Sequence, residues 1–331
     1  MTDRSPVVPR RLRAGDEVRV VAPACSRSMI MEHDNTHWIN ERFHEMGLTL
    51  SFGDYVDEDD EFRSSSIESR VADLHAAFAD PNVAGILTVI GGFNSNELLP
   101  YVDWDLISAN PKIFCGYSDI TALSNAICAR TGLMTYSGPH WSSFGMRDHF
   151  EPTGEWFRAA LMTDQPIVLH PSDTWTDDLW FLDQDNRSWH TNDGWWVIQE
   201  GQAAGRLIGG NLCTLNLLQG TEWMPPLDGA VLFLEDDSLS SPVTFARDLT
   251  SLLQLPDAEG IKGLLIGRFQ QESGITRELL AEIVSRQPAL QGLPVLANLD
   301  FGHTSPMHTL PVGGTAAVST AGSAEVTVST H

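Results

Sequence analysis

Two hydrophobic patterns alternate along the first half of the chain. Short apolar runs, which are typical of buried strands, are followed by stretches with apolar residues three or four positions apart, which are typical of helices. One such stretch places Ile67, Val71, Leu74 and Phe78 on a single helical face. The strand-like runs lie in EVRVVAPA, LTLSFG, VAGILTVIGG, KIFCGY and LMTYSG. This alternation predicts a mainly parallel sheet with helices on both faces.

The pattern changes at about Met162. The stretch from there to Gln202 contains five tryptophans and many aspartates but few aliphatic runs, so we predict a long excursion without regular elements. Strand and helix patterns then resume, with strands in GAVLFLEDD, IKGLLIGRF and PVLANLDFGH. We therefore predict an N-terminal α/β domain over residues 1–165, a tryptophan-rich loop or linker over 166–202, and a smaller α/β domain over 203–331.

Composition narrows the functional classes. The 331 residues carry a formal net charge of −24, which argues against a nucleic-acid partner, since binding to phosphates needs clustered lysine and arginine. No run approaches the 18 apolar residues of a membrane span, and the start has no apolar region of signal-peptide length. Four cysteines without a C-x-x-C pair indicate reduced thiols in a cytoplasmic protein.

Three side chains with complementary chemistry follow predicted strands. Ser118 follows KIFCGY, Glu235 follows AVLFL, and His303 follows PVLANLDFG. The carboxyl ends of parallel strands meet at one edge of a sheet, and a serine nucleophile needs a histidine base that a carboxylate orients. The chain order Ser–Glu–His is that of α/β-hydrolases, but Ile120 stands where their G-x-S-x-G turn requires glycine.

Each of the three residues also has a plainer interpretation. A serine at a strand-to-helix turn is often the cap of the helix, a glutamate at a strand end is often a surface acid, and a loop histidine often only packs. A metal site is not predicted: H-E-x-x-H is absent, and the spacing of His303 and His308 suggests no zinc site. We predict no cofactor.

A glycine pair supplies a further candidate. Gly91 and Gly92 follow a predicted buried strand, where backbone N–H groups can approach a ligand closely. One of these N–H groups, together with that of Asp119 at the start of the next helix, could hold an oxyanion. A plain tight turn is the alternative. The pair does not fit G-x-G-x-x-G, which weakens a dinucleotide-binding interpretation.

Five motifs taken together resemble the LD-carboxypeptidase family of serine peptidases. They occur in order over nearly the whole chain: GGFNSNELLPYVD, FCGYSDITAL, GRLIGGNLCTL, LFLEDD and FGHTSPMHTLPVGG. The resemblance implies a flavodoxin-like N-terminal domain, a smaller C-terminal domain, a site between them and a homodimer. It also implies the site residues: Ser118 as nucleophile, His303 as base, Glu235 as orienting acid, Gly92 and Asp119 as oxyanion donors, and Asn211 as a substrate contact.

Two branches of this family are relevant. Cell-wall recycling members cleave the L,D bond before a terminal D-alanine of muropeptides. Microcin-type members cleave the amide between a peptide or amino acid and an aminoacyl-adenylate mimic, and their long aromatic loop resembles SDTWTDDLWFLDQDNRSWHTNDGWW. We predict the microcin-type activity, in self-immunity or detoxification. Muropeptide recycling and a non-enzymatic nucleotide-binding module are the alternatives.

The tryptophans of this loop are the predicted substrate contacts. An indole can stack on adenine, so Trp180 and Trp189 are candidates, and Trp189 is favoured because Ser188 and His190 flank it. Packing at the domain junction is the plainer interpretation. No basic residue follows Glu235 until Arg247, and this leaves the preferred side chain at the cleaved residue open.

Overall fold

Two large β-sheets and the helices around them make up the computed structural model, which describes residues 6–30 and 35–331. The strands of these residues are β1 (Glu17–Val21), β2 (Thr49–Phe52), β3 (Val83–Thr88), β4 (Ile113–Cys115), β5 (Thr135–Ser137), β6 (Ile167–Val168), β7 (Thr174–Trp175), β8 (His190–Thr191), β9 (Trp196–Gln199), β10 (Gln202–Asn211), β11 (Ala230–Glu235), β12 (Gly263–Gly267), β13 (Val295–Leu299), β14 (Leu310–Val312), β15 (Thr315–Ser319) and β16 (Glu325–Thr330). The α-helices are α1 (Thr36–Glu45), α2 (Ile67–Ala79), α3 (Trp104–Ala109), α4 (Thr121–Thr131), α5 (Glu151–Met162), α6 (Leu212–Asn216), α7 (Pro242–Leu253) and α8 (Arg277–Ser285).

The first sheet has the strand order β2-β1-β3-β4-β5 with β14 added at the edge. Its first five strands run parallel, whereas β14 is antiparallel to β5. The order 2-1-3-4-5 is that of the flavodoxin-like fold, in which ligands bind outside the carboxyl ends of the strands. The predicted α/β class with a flavodoxin-like parallel sheet is confirmed.

The second sheet has four parallel strands, β10 to β13, at its centre and antiparallel strands on both sides, in the order β6-β16-β15-β10-β11-β12-β13-β9. Two of its strands, β6 and β9, come from the segment that we expected to be irregular. Conversely, β14 belongs to the C-terminal part of the chain but pairs with β5 of the first sheet. The chain therefore crosses between the two sheets more often than the predicted boundaries imply.

Helix α2 shows why the hydrophobic pattern was informative. The Ser66 hydroxyl accepts a hydrogen bond from the N–H of Ser69 and caps its start. Leu74 and Phe78 are fully buried, and Val71 packs partly buried against the same core. The predicted helical face is confirmed.

The segment NSNELLPYV, which we expected to be a short helix, forms a 3₁₀ helix over Ser95–Tyr101. Pro100 lies inside it. The proline ring clashes with the carbonyl of the residue four positions earlier in an α-helix, which disfavours the α-helical form here.

Helix α4 joins the two sheets. Thr121 Oγ1 at its start accepts the N–H of Asn211 at 2.9 Å, and the amide of Asn125 donates to the carbonyl of Gly209 at 2.8 Å. A Cβ on Gly210 would come within 2.5 Å of Thr121 Oγ1, so only glycine permits this approach. The carboxyl end of β4 is thereby fixed against that of β10.

The helices of the described ranges lack the combination of length and apolar composition that a bilayer crossing requires.

Candidate active site

Ser118 lies at a sharp turn between β4 and α4. Its φ of +60° is in the left-handed region, which a residue with a Cβ adopts at a cost of about 1–3 kcal/mol. Gly116 makes the turn possible, because a Cβ there would lie 2.2 Å from Thr88 Oγ1. Ile120 is buried in the core. The turn thus keeps the first glycine of the G-x-S-x-G pattern, Gly116, whereas the buried Ile120 replaces the second glycine.

The Ser118 side chain does not cap the following helix. The residue before α4 is Ile120, and no side chain caps that start. The Ser118 hydroxyl instead points towards His303. The cap interpretation of this serine is wrong, because its hydroxyl is 3.0 Å from His303 Nε2 and no side chain caps the start of α4.

Three side chains from different strand ends form a continuous series of hydrogen bonds. Ser118 Oγ lies 3.0 Å from His303 Nε2, and His303 Nδ1 lies 2.7 Å from Glu235 Oε2. Glu235 is the last residue of β11 and is only 3% exposed, whereas His303 lies four residues beyond β13. Because each imidazole nitrogen has its own partner, the carboxylate orients the ring with Nε2 towards the serine hydroxyl.

Electrostatics around His303 favour its protonated form. Burial by itself would lower the pKa of His303, but the charge of Glu235 and the hydrogen bond to it raise that pKa, and Asp237 and Asp236 add to the effect. The net result is a pKa above the ordinary value of histidine. Burial, followed by repulsion from Glu235, raises the pKa of Asp236 to about 7. The base therefore faces a cluster of acids whose charges stabilise an imidazolium.

The glycine loop, residues 91–95, runs directly beside the serine. A Cβ on Gly91 would lie 3.0 Å from Ser118 Oγ and 3.6 Å from the backbone nitrogen of Asp119. A Cβ on Gly92 would lie 2.9 Å from Cys25 Sγ. No acceptor within the described part of the chain pairs with the N–H of Gly92. The close approach of Gly91 to the serine explains why this loop needs glycine.

The Asp119 side chain fastens the glycine loop to the serine turn. Its Oδ2 accepts the N–H groups of Asn94 and Ser95 at 3.2 and 2.9 Å, and the Ser95 hydroxyl donates to the Asp119 carbonyl at 2.7 Å. Buried Arg70 holds the same loop from the other side by donating to the Asn94 carbonyl at 3.1 Å. These bonds leave little freedom between the Gly92 and Asp119 backbones.

Sequence reasoning missed an aromatic support behind the serine. The Tyr117 ring stacks on His140 with centroids 4.3 Å apart and meets the His303 ring edge-on at 5.2 Å. His140 Nδ1 lies 2.7 Å from Thr88 Oγ1, and burial, with a contribution from His303, lowers the pKa of His140 to about 3. His140 follows the end of β5, so the strand-end rule that found Ser118 would have identified it as well.

The predicted substrate contacts occupy three different places. Trp180 lines the active-site cavity, a cavity of about 110 Å³ that also contains His303 and Tyr117. Trp189 lies outside that cavity, in a groove with Pro306, where its ring contacts that of His149 at a tilt of 38° with centroids 4.0 Å apart. Asn211 is only 2% exposed.

The side chain of Asn211 is occupied within the protein. Its Oδ1 accepts from the N–H and hydroxyl of Thr214 at 3.1 and 2.9 Å and so caps α6, while its Nδ2 donates to Asp236 at 3.3 Å. This arrangement makes Asn211 a support of the acidic cluster beside Glu235. Substrate contact by Asn211 stays a prediction that the present geometry does not favour.

A strained serine, an imidazole and a buried carboxylate in hydrogen-bond series, next to backbone N–H groups, form the arrangement expected of serine-type hydrolases. Among residues 6–30 and 35–331, no three histidine, cysteine, aspartate or glutamate side chains cluster as metal ligands do.

Comparison with known protein families agrees with this class. Residues 18–138 match the family model described as the LD-carboxypeptidase N-terminal domain, and residues 204–318 match the LD-carboxypeptidase C-terminal domain. The chain belongs to the LD-carboxypeptidase family of serine-type peptidases. The resemblance inferred from the motifs is confirmed, and so is an enzymatic function, which removes the non-enzymatic binding module as an alternative.

Two curated relatives illustrate the range of the family. The chain is 50% identical to the Bacillus subtilis protein named "Putative carboxypeptidase YocD" over 92% of its own length and 94% of that protein. It is 31% identical to a Bacillus subtilis protein named "Probable murein peptide carboxypeptidase", with 95% and 92% of the two chains covered.

Solved structures show the same fold. An MccF-like protein from Bacillus anthracis str. Ames matches with a TM-score of 0.96 and 49% identity over 98% of this chain and all of that chain. The microcin C7 self-immunity protein MccF, solved in complex with aspartyl sulfamoyl adenosine, matches with a TM-score of 0.88 and 30% identity over 98% and 99% of the two chains.

Proposed function

We propose that this protein is a serine amide hydrolase in which Ser118, His303 and Glu235 form the catalytic triad. The observation that carries the proposal is the unbroken series of two hydrogen bonds, 3.0 Å from Ser118 Oγ to His303 Nε2 and 2.7 Å from His303 Nδ1 to Glu235 Oε2. The raised pKa of His303 fits a group that must hold a proton during the reaction.

The proposed reaction has an acylation step and a hydrolysis step. Ser118 Oγ attacks the amide carbonyl carbon while His303 Nε2 takes the hydroxyl proton, and Glu235 stabilises the resulting imidazolium. The N–H groups of Gly92 and Asp119 stabilise the oxyanion. The imidazolium then gives its proton to the leaving amine as the C–N bond breaks. Water, deprotonated by His303, then attacks the acyl carbonyl carbon, and the imidazolium returns the proton to Ser118 Oγ as the ester bond to the serine breaks.

For the substrate, we infer an aminoacyl or peptidyl nucleotide of the microcin type. One support is the resemblance to MccF, which was solved with aspartyl sulfamoyl adenosine. The other is the position of Trp180, a residue that lines the same cavity as His303 and whose side-chain type can stack on a base. Cytoplasmic location and a homodimer stay predictions.

The charge of the active-site cavity separates this substrate from the alternatives. Asp177 and Asp178 line the cavity, and its described lining includes no lysine or arginine. It therefore offers no lysine or arginine partner to the terminal carboxylate of a muropeptide, and its aspartates favour a neutral or basic side chain at the cleaved residue over an acidic one. Muropeptide cleavage remains the second candidate because of the relative named a murein peptide carboxypeptidase.

Trp180→Ala tests the substrate class. The variant should raise KM for an aminoacyl sulfamoyl adenosine about tenfold, since base stacking is worth about 1–3 kcal/mol. Trp189→Ala is the matched control, and it should change KM less than threefold, because Trp189 lies in the groove with His149 and Pro306. Cleavage is followed by mass spectrometry with both an adenylate mimic and a muropeptide tetrapeptide.

The outcome with the muropeptide distinguishes the two candidates. A muropeptide has no base to stack, so Trp180→Ala should leave its cleavage unchanged. Rapid muropeptide cleavage by the wild type without adenylate cleavage would assign the protein to the cell-wall branch. A larger effect of Trp189→Ala than of Trp180→Ala would show that Trp189 is the substrate contact.

A further inference from the structure

A buried ion pair lies between the catalytic base and the tryptophan-rich segment (residues 166–202). Arg268 Nη1 and Asp300 Oδ1 are 2.6 Å apart, and the two side chains are only 2% and 0% exposed. Asp300 directly follows β13 and precedes His303 by three residues, whereas Arg268 directly follows β12. The pair therefore lies at the same strand ends that carry the active site.

The first end of the tryptophan-rich segment is attached to this ion pair. Ser172 donates twice to Asp300, from its N–H to Oδ2 at 3.0 Å and from its hydroxyl to Oδ1 at 2.6 Å. The guanidinium of Arg268 also lies over the Trp175 ring, 5.2 Å from its centroid. Hydrogen bonds to a charged acceptor are about twice as strong as neutral ones, so this attachment is firm.

The second end is attached through Asn298 in β13. Arg268 Nε donates to Asn298 Oδ1 at 3.1 Å, and Asn298 Nδ2 donates to the Gly194 carbonyl at 2.7 Å. Asn192 joins the two ends directly, because its amide donates to the carbonyl of Ser172 at 2.8 Å. Both ends of the segment are thus held by one network centred on Arg268 and Asp300.

The middle of the segment is bonded to the connection that carries the base. Thr176 and Ser305 exchange backbone hydrogen bonds of 2.9 and 2.8 Å, and Ser305 lies two residues after His303. Four residues beyond Thr176, Trp180 lines the cavity that contains His303. Thr176 therefore ties the stretch before Trp180 to residues 300–305, and Asp177 ties it also to Gln271, whose N–H and amide donate to the carboxylate at 2.6 and 3.0 Å.

We propose that Asp300, held by Arg268, is a positioning residue that fixes the tryptophan-rich segment through Ser172 so that Trp180 stays in the lining of the active-site cavity that contains His303. A buried ion pair is often no more stabilising than apolar residues of the same shape, but it imposes directional bonds. Here those bonds join the substrate-binding segment to the connection that carries the base. The inference rests on the proposed function of the same cavity.

Ser172→Ala removes one of the two donors to Asp300 and leaves the ion pair intact, so it is the variant of choice. It should lower kcat/KM about tenfold through a raised KM, because Trp180 is no longer held in place, while kcat changes less. Ser172→Thr keeps a hydroxyl and should recover most of the loss. Ser188→Ala is the matched control in the same segment, since its exposed side chain makes no hydrogen bond with the described residues, and it should behave as the wild type.

A double-mutant cycle with Trp180→Ala separates positioning from a general loss of stability. If Ser172 acts through Trp180, Ser172→Ala should lower kcat/KM less than twofold further in the Trp180→Ala background. Equal losses in both backgrounds would overturn the proposal. The cycle uses the adenylate mimic, because Trp180→Ala should leave muropeptide cleavage unchanged.

Hydrogen–deuterium exchange without substrate tests the attachment independently of the proposed function. Peptides covering residues 173–191 should exchange faster in Ser172→Ala than in the wild type or Ser188→Ala, with the exchange of β11 and α4 unchanged. Unchanged exchange of 173–191 would overturn the proposal even if the enzyme is active. Faster exchange of 173–191 in Ser172→Ala, found together with a wild type that cleaves neither substrate, would contradict the proposed function alone.

Discussion

Ser118→Ala is expected to lower kcat by about 10⁴- to 10⁶-fold, the range in which removal of a triad serine falls when the rest of the site remains. The alanine leaves no atom to attack the carbonyl carbon, whereas the glycine loop and the Trp180 side of the cavity are untouched. His303→Ala should lose a similar amount, because the serine hydroxyl is a poor nucleophile without a base. Single-turnover and steady-state rates on the adenylate mimic provide the measurement.

The double variant shows whether the two residues act as a unit. Ser118→Ala with His303→Ala should lose little more than either alone, since either change abolishes the same step. Thr304→Ala is a useful control next to the base, because the Thr304 hydroxyl makes no hydrogen bond within the described residues. Turnover by folded Ser118→Ala within tenfold of the wild type would refute the assignment of the nucleophile.

Glu235→Gln is expected to keep the fold and to lower kcat by about 10⁴-fold, which is the loss typical when the acid of a serine triad is replaced by its amide. The amide of glutamine has nearly the same shape as the carboxylate, but it can donate to His303 Nδ1. That bond would place the imidazole proton on Nε2, where it faces Ser118 and cannot accept the hydroxyl proton. The amide also has no charge with which to stabilise the imidazolium.

The pH dependence gives a second result for the same variant. In the wild type, kcat/KM should fall as pH drops through the pKa of His303, and this midpoint should lie above about 6.5 because Glu235 raises that pKa. Glu235→Gln removes the main raising influence while burial still lowers the pKa, so the midpoint should move to lower pH.

Asp237→Asn provides the control for charge alone. Asp237 also raises the pKa of His303 but makes no hydrogen bond to it. This variant should shift the midpoint slightly in the same direction with kcat within about tenfold of the wild type. A wild-type midpoint below 6, or a midpoint that Glu235→Gln leaves in place, would contradict the role of the acid.

The strand ends were the part of the site that the sequence predicted best. Buried strands are continuous apolar runs, so their last residues can be located, and parallel strands bring those residues to one edge. Ser118, Glu235 and His303 were selected in this way, and the structure brings all three within hydrogen-bond distance. The motif comparison added the roles that spacing alone left open.

The orientation of Ser118 was beyond sequence reasoning. The G-x-S-x-G pattern assigns the strain to glycines on both sides, and the sequence has Ile120 in the second position. The structure keeps the φ of +60° with Gly116 alone, because Ile120 is needed in the core under α4. A local motif cannot show which neighbour absorbs the strain, since that depends on packing from distant strands such as β3.

The tryptophan-rich segment was misjudged for a similar reason. Its polar composition predicted an irregular excursion, yet β9 within it is a strand of the second sheet and Thr176 pairs with Ser305. Polar neighbours made Trp189 the favoured contact; the structure places Trp180 in the lining of the cavity that contains His303 and Trp189 in a separate groove, and which of the two contacts substrate stays a prediction. Long-range hydrogen bonds decide the path of such a segment, and hydrophobic periodicity does not report them.

Covalent trapping tests the central claim, that Ser118 is the nucleophile, most directly. A serine-reactive phosphonate is incubated with the wild type, Ser118→Ala and Ser124→Ala, and the adduct is located by intact mass and peptide mapping. Ser124 is a buried serine of α4 and serves as the control. We expect one adduct per chain, on Ser118, in the wild type and Ser124→Ala and none in Ser118→Ala. An active wild type that forms no adduct, or an adduct that persists in Ser118→Ala, would contradict the account.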